Sequence, residues 1–148
     1  MRWRNTATGF GLITRLLHWA MAALILAQIP LGLQIATMQL SLANLWLFGL
    51  HKTIGFVALI LVLIRLLWHR ISPPPPPLGA VNSLPNRAAR AVHALIYTCL
   101  LVIPLSGWVA SAATGLDVVI FNSVTLPAIA PVSETWENMG FFIHNTAT

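Results

Sequence analysis

The chain contains three apolar runs, each long enough to cross a lipid bilayer as a helix. They cover about residues 15–36, 49–70 and 90–112, and about 20 residues of helix span the roughly 30 Å of hydrocarbon. Only 7% of the residues are charged and 57% are hydrophobic, whereas soluble domains carry roughly 25% charged residues. We therefore predict an all-α membrane protein, with residues 1–148 forming a single transmembrane domain.

A fourth apolar segment starts at about residue 140, but the sequence ends at Thr148. Helix from residue 140 to the end would rise only about 13 Å. We therefore expect a four-helix transmembrane bundle in which three spans are complete and the fourth is a stub with few packing contacts. Residues 114–137 are predicted to form an extramembrane loop, and residues 38–48 a connection in the membrane interface.

The basic residues indicate how the chain crosses the membrane. Seven arginines lie on the amino-terminal arm, at the end of the second run or at the start of the third, namely Arg2, Arg4, Arg15, Arg65, Arg70, Arg87 and Arg90. Since positive charge favours the cytoplasmic side, we predict a multi-pass protein with a cytoplasmic amino terminus. The formal charge of +5 is explained by topology, so we expect lipid and not nucleic acid as the partner. A signal peptide is the alternative for the first run, but the apolar core of a signal peptide is usually only about 7–15 residues.

His51 lies at the start of the apolar run Val57–Leu67. An ionisable side chain in a span indicates a functional site, and Gly55, one turn further on, leaves room for a flat and bulky group. A haem is the obvious candidate. The single cysteine, Cys99, excludes covalent attachment through a Cys-x-x-Cys-His motif, so the haem would be held non-covalently.

The histidines separate into two levels along the predicted spans. His18, His69 and His93 lie near the predicted inner face, and His51 and His144 near the outer face. Two levels suit a stacked pair of haems, and two imidazoles on one iron give a six-coordinate site suited to electron transfer. His69 is more typical of an interfacial residue bonded to headgroups or water. A zinc or copper site is the weaker alternative, because no span contains a carboxylate or a His-x-x-x-His pair.

Several motifs occur in order through nearly the whole chain and resemble those of the bacterial cytochrome b561 family. They are Thr14–Trp19, His51–Gly55, Arg65–Trp68 before Pro73–Pro77, Ala91–Ala94 and Pro104–Trp108. The resemblance implies a bacterial inner-membrane four-helix bundle with two b-type haems that exchanges electrons with ubiquinone. At least one branch of the family oxidises superoxide at the outer face, and the fold is similar to the cytochrome b subunits of formate dehydrogenase and nickel-iron hydrogenase.

The resemblance also implies roles for four histidines. His51 and His144 would be the axial ligands of the outer haem, and His18 one ligand of the inner haem. His93 would be either a ligand or a group that hydrogen-bonds a haem propionate or quinone. In the family a second histidine follows about 14 residues after the first on the fourth helix, a position beyond Thr148. We therefore expect a truncated chain that holds at most one haem.

The expected function is electron transfer from an outer-face donor, with superoxide as one candidate, to ubiquinone. The alternatives are a membrane anchor, with or without haem, for a partner dehydrogenase, and a non-functional remnant. The sequence leaves open whether the chain is an enzyme and whether it forms a homo-oligomer.

Overall fold

A computed structural model describes residues 2–148 and is mostly helical. Three long helices come first: α1 (Leu12–Thr37), α2 (Leu45–Ile71) and α3 (Leu84–Ala113). Two short strands, β1 (Val118–Ile120) and β2 (Val124–Leu126), and a final helix, α4 (Glu134–Ala147), follow. The long helices have 26, 27 and 30 residues, which correspond to about 39, 40 and 45 Å. All three are long and apolar enough to cross a membrane, so the structure has three candidate spans where the sequence predicted them.

The helices begin earlier than the hydropathy pattern predicted. Helix α2 starts at Leu45, so the interfacial connection predicted for residues 38–48 is helical in its last part. Helix α3 starts at Leu84, with Pro85 in its first turn, where a proline sacrifices no helical hydrogen bond. The helices therefore extend beyond the predicted spans, by an apolar turn at Leu45–Phe48 of α2 and by a more polar turn at Leu84–Ala89 of α3.

The largest correction concerns α4. It begins at Glu134 and not at about residue 140, so residues 134–137 are helix and not loop. Glu134 and Glu137 lie in its first turn, where acidic side chains interact favourably with the helix dipole. The helix has 14 residues and is shorter and more polar than the three spans. The expectation of few contacts was wrong, because α4 packs closely along α3.

The helices pack in chain order, α1 on α2, α2 on α3 and α3 on α4. The buried core is small and centres on Met21, Leu59 and Val62, with Val62 fully buried. Many large apolar side chains point outward instead, as suits helices surrounded by hydrocarbon.

The loop after α3 contains an antiparallel hairpin of β1 and β2. Residues 121–123 connect the strands, and the first two, Phe121 and Asn122, have φ of 51° and 54°, as in the tight turns that match the twist of a hairpin. The backbone N–H of Phe121 donates to Thr53 Oγ1 at 3.0 Å. The hairpin therefore lies against the first turns of α2, two residues from His51.

The amino-terminal segment is tied to the other end of α2 by Asn5. Its backbone N–H donates to Ser72 Oγ at 2.9 Å, and its Nδ2 donates to the Ser72 carbonyl at 2.8 Å. Its Oδ1 accepts from Gly11 N–H and from Thr14 Oγ1, both at 2.8 Å. Trp68 Nε1 also donates to Thr14 Oγ1. These bonds fix the start of α1 beside the end of α2, where the proline run begins.

Candidate functional site

Polar side chains gather at two places where the helices meet. The hairpin-side cluster, near β1 and β2, consists of Gln28, His51, Gly107 and His144. The proline-side cluster, near the proline run, consists of His18, Arg65, His69 and Tyr97. His51 and Arg65 are both on α2, 14 residues and so about 21 Å apart along the helix.

The hairpin-side cluster brings together the imidazoles of His51 and His144. The centroids of the two rings are 5.9 Å apart, and the ring planes are nearly perpendicular at 82°. Both residues are half-buried. The two imidazoles come from α2 and α4, so the fold brings together two rings that are far apart in sequence.

The ring of His144 is oriented by α3. Its Nδ1 lies 2.8 Å from the carbonyl oxygen of Ile103, and only a protonated Nδ1 can donate to a carbonyl. The lone pair of the neutral ring is therefore on Nε2, the nitrogen that remains available to a metal. Gly107 makes this approach possible, since a Cβ there would lie 3.0 Å from the ring.

The backbone of His51 is held by α1. Gln28 Nε2 donates to the carbonyl of His51 at 3.0 Å. A Cβ on Gly55 would lie only 3.2 Å from the same Nε2 atom. The Gln28 amide therefore lies beside Gly55, at the position where the sequence analysis expected a haem. Gly32 contributes the surface beside the His51 ring, where a Cβ would lie 3.5 Å from Cε1.

Two polar atoms of this cluster are buried without a hydrogen-bond partner among residues 2–148. They are His51 Nδ1 and Gln28 Oε1. Such atoms are rare in folded proteins because each costs about 1–3 kcal/mol of desolvation free energy. The hairpin-side cluster therefore keeps unused hydrogen-bonding capacity beside the His51 ring.

Arg65 is the centre of the proline-side cluster. Its Nη1 donates to His18 Nδ1 at 3.2 Å, and its Cζ lies 5.7 Å from the centre of the Tyr97 ring, within the range of a cation–π contact. Its Nε is buried and has no partner in the described part of the chain. One guanidinium on α2 therefore contacts both neighbouring spans.

His69 lies one turn beyond Arg65 and faces Tyr97 with ring centroids 6.4 Å apart. The Tyr97 hydroxyl is 3.5 Å from His69 Nδ1, at the outer limit of a hydrogen bond. Within residues 2–148, His69 Nε2 is buried and unpartnered. The His69 ring therefore turns toward Tyr97 on α3, whereas the sequence analysis expected an interfacial residue.

The remaining predicted site residues are not brought together. His18 is exposed on α1 and pairs with Arg65, and His93 is exposed on α3. His93 forms no side-chain hydrogen bond or ring contact with residues 2–148. The sequence analysis gave Gln28, Arg65 and Tyr97 no role in a site, and used Arg65 only for topology and as part of a motif. For Arg65 a signal was present, namely a basic residue in an apolar run with no carboxylate.

Comparisons with known proteins identify a family of membrane cytochromes. Residues 9–148 match the family model described as "Prokaryotic cytochrome b561". The chain is also 36% identical over 131 residues to "Cytochrome b561 homolog 2" of Escherichia coli (strain K12). The aligned residues make up 86% of this chain and 69% of that relative. Membership of such a family indicates membrane electron transfer through b-type haem. The chain is therefore a multi-pass membrane protein of the prokaryotic cytochrome b561 family.

Proposed function

We propose that the chain transfers electrons through a b-type haem bound in the hairpin-side cluster, with His51 and His144 as the axial ligands. The observation that carries the proposal is the pair of imidazoles facing each other at 5.9 Å. In this proposal the helices form a four-helix bundle around the haem.

The residues of the cluster fit a haem iron. A metal–imidazole bond is about 2.0 Å, so two imidazoles on opposite sides of one iron have ring centroids about 6 Å apart. The observed 5.9 Å is close to that value. The bond from His144 Nδ1 to Ile103 leaves Nε2 as the ligating atom, which is the usual way in which a second partner orients a ligating histidine.

When bound, the haem would supply a one-electron carrier, and with both His51 and His144 holding it the site would favour electron transfer over oxygen chemistry. The protein keeps both ligands in place through separate elements. Ile103 and Gly107 orient the His144 ring, while Gln28 holds the backbone of His51. Each ligand is therefore held by a neighbouring helix and not only by its own.

The proline-side cluster does not fit a second haem as it stands. A neutral imidazole has one lone pair, and Arg65 occupies the lone pair of His18 Nδ1. Ligation by His18 would require that contact to be given up, and His93 does not lie against it. We therefore derive no electron-transfer step there and expect at most one tightly held haem per chain.

The same proposal places the cluster on one side of the membrane and names an electron donor and an acceptor. With the arginine-rich side in the cytoplasm, the hairpin-side cluster lies near the outer face of the inner membrane. An outer-face donor, with superoxide as one candidate, would reduce the haem, and ubiquinone would accept the electrons. These partners come from the family resemblance.

The test is the variant His51→Ala, with His93→Ala as a matched control on an exposed histidine. His51→Ala should remove most of the haem measured by pyridine haemochrome, and also the sharp bands of the reduced-minus-oxidised spectrum, because one axial bond is lost. His93→Ala should retain both. Unchanged haem content and spectrum in His51→Ala would refute the proposed ligand pair.

A further inference from the structure

The two histidines of the hairpin-side cluster differ in the hydrogen bonding of their Nδ1 atoms. His144 Nδ1 donates to the carbonyl of Ile103 at 2.8 Å. His51 Nδ1 is buried and has no hydrogen-bond partner among residues 2–148. A ligating histidine almost always donates its second ring N–H to an acceptor, because that bond fixes the ring and raises its basicity. The main chain supplies this acceptor to His144 but not to His51.

Gln28 has an acceptor that is not used. Its Nε2 donates to the His51 carbonyl at 3.0 Å. Only the amino side of an amide can donate to a carbonyl, so this bond fixes the direction in which the amide faces. The amide oxygen, Gln28 Oε1, is buried and has no partner in the described part of the chain. An unpaired acceptor and an unpaired ring nitrogen therefore lie on two residues that are already joined by one hydrogen bond.

Gly55 leaves the space that this amide occupies. A Cβ on Gly55 would lie 3.2 Å from Gln28 Nε2, and Gly55 is one turn from His51 on α2. An amide within an apolar span costs free energy unless hydrogen bonds satisfy it. The other glutamine of α1, Gln34, is exposed. Gln28 is therefore the amide of α1 that is placed to act on His51.

We propose that Gln28 is a positioning residue for His51, whose Nδ1–H its Oε1 accepts, directly or through one water, when the ring ligates haem iron. This inference rests on the proposed function. An imidazole that donates its Nδ1–H gives more electron density to the metal. Hydrogen bonds around the axial ligands are among the factors that set the reduction potential of a haem. A more electron-rich ligand favours oxidised iron, so Gln28 lowers that potential.

The experiment uses the full chain in lipid nanodiscs and compares wild type with Gln28→Leu and Gln28→Glu. Leucine is of similar size and removes both the donor and the acceptor, whereas glutamate keeps an acceptor oxygen. Gln34→Leu is the matched control, because Gln34 is an exposed glutamine on the same helix. Potentiometric titration measures the midpoint potential of the haem, and titration with haemin measures its affinity.

Gln28→Leu should raise the midpoint potential. Loss of an outer hydrogen bond to a metal ligand typically costs about 10–100-fold in metal affinity. If oxidised haem is weakened about tenfold more than reduced haem, the potential rises by about 59 mV for one electron. Gln28→Glu should stay at or below the wild-type potential, because the acceptor is retained and any negative charge on it also favours oxidised iron. Gln34→Leu should match wild type.

An unchanged potential in Gln28→Leu overturns the proposal, even if haem is lost more easily, because the amide would then serve only to hold the backbone of His51. A potential above wild type in Gln28→Glu overturns it as well. That second result applies even if Gln28→Leu does not fold.

Failure of this inference is distinguishable from failure of the proposed function. A wild-type chain that binds no haem, or haem that is unchanged in His51→Ala, contradicts the ligand pair and this inference together. Haem that is lost in His51→Ala but has the same potential in wild type and in Gln28→Leu supports the ligand pair and rejects the role of Gln28.

Discussion

Single glycines determine how closely neighbouring helices can approach the imidazole rings of the hairpin-side cluster. Gly107 and Gly32 both lie inside helices and both face a histidine ring, but the space beside them differs. A Cβ on Gly107 would lie 3.0 Å from two atoms of the His144 ring, whereas a Cβ on Gly32 would lie 3.5 Å from His51 Cε1, an ordinary contact distance. Alanine at each position therefore makes a matched pair of variants: the added methyl group displaces the His144 ring at residue 107 but leaves the His51 ring in place at residue 32.

We predict that Gly107→Ala weakens haem retention and that Gly32→Ala does not. The methyl group at residue 107 pushes the His144 ring away from Ile103, and overpacking of this kind costs about 1–3 kcal/mol. Haem content after detergent purification and the thermal midpoint of unfolding measure the effect. Equal haem content in the two variants would contradict this account of Gly107.

Helix α4 depends on α3 for its order. An isolated helix of 14 residues is marginal in water, so contacts must supply its stability. Gly140 is buried against Ala110, where a Cβ would lie 2.8 Å from backbone and side-chain atoms. One turn later His144 lies against Gly107. Small residues on both helices thus permit the close approach that positions the ligand, a common solution between membrane helices.

Gly140→Ala should therefore separate α4 from α3. Because the colliding atoms include backbone, they cannot move aside as a side chain can, and the cost should be about 1–3 kcal/mol. Hydrogen exchange across residues 134–147 should become faster. Asn138→Ala, at an exposed position of α4, is the control and should leave the exchange unchanged. Full protection in Gly140→Ala would show that α4 does not rely on this contact.

At the opposite end, Asn5 links α1 to the end of α2 through three side-chain hydrogen bonds. Its partners Thr14 and Ser72 are 5% and 4% exposed. Without the Asn5 side chain, the Thr14 hydroxyl and the Ser72 carbonyl would each lose a hydrogen bond that water cannot easily replace. Asn5→Ala should lower the free energy of unfolding by about 2 kcal/mol, at roughly 1 kcal/mol for each bond less some replacement by water. Thr8→Ala, exposed in the same segment, should have little effect. Thermal unfolding in detergent compares the two, and equal midpoints would argue against a structural role for Asn5.

Across the whole molecule, the arginines cluster toward the proline run, and Lys52 and the three acidic residues lie toward the hairpin. This asymmetry predicts the orientation by the positive-inside rule. Cysteines introduced at exposed positions can report it in a Cys99→Ala background. Ser123→Cys, in the hairpin, should react with a membrane-impermeant maleimide in intact cells, and Leu78→Cys, after the proline run, only after lysis. The reverse pattern would invert the topology and place the hairpin-side cluster inside.

The amino-acid sequence by itself determined the three spans, because hydropathy and chain length act locally and need no knowledge of neighbours. It also indicated two levels of histidines, since depth along a helix follows from residue number. Only the tertiary structure decided which side chains meet. Helices that are apolar on every face carry little signal of the face that packs, so the contacts of Gln28 with His51, His144 with Ile103 and Arg65 with His18 could not be read from periodicity. Each pair is 23 or more residues apart, and each depends on how neighbouring helices approach one another.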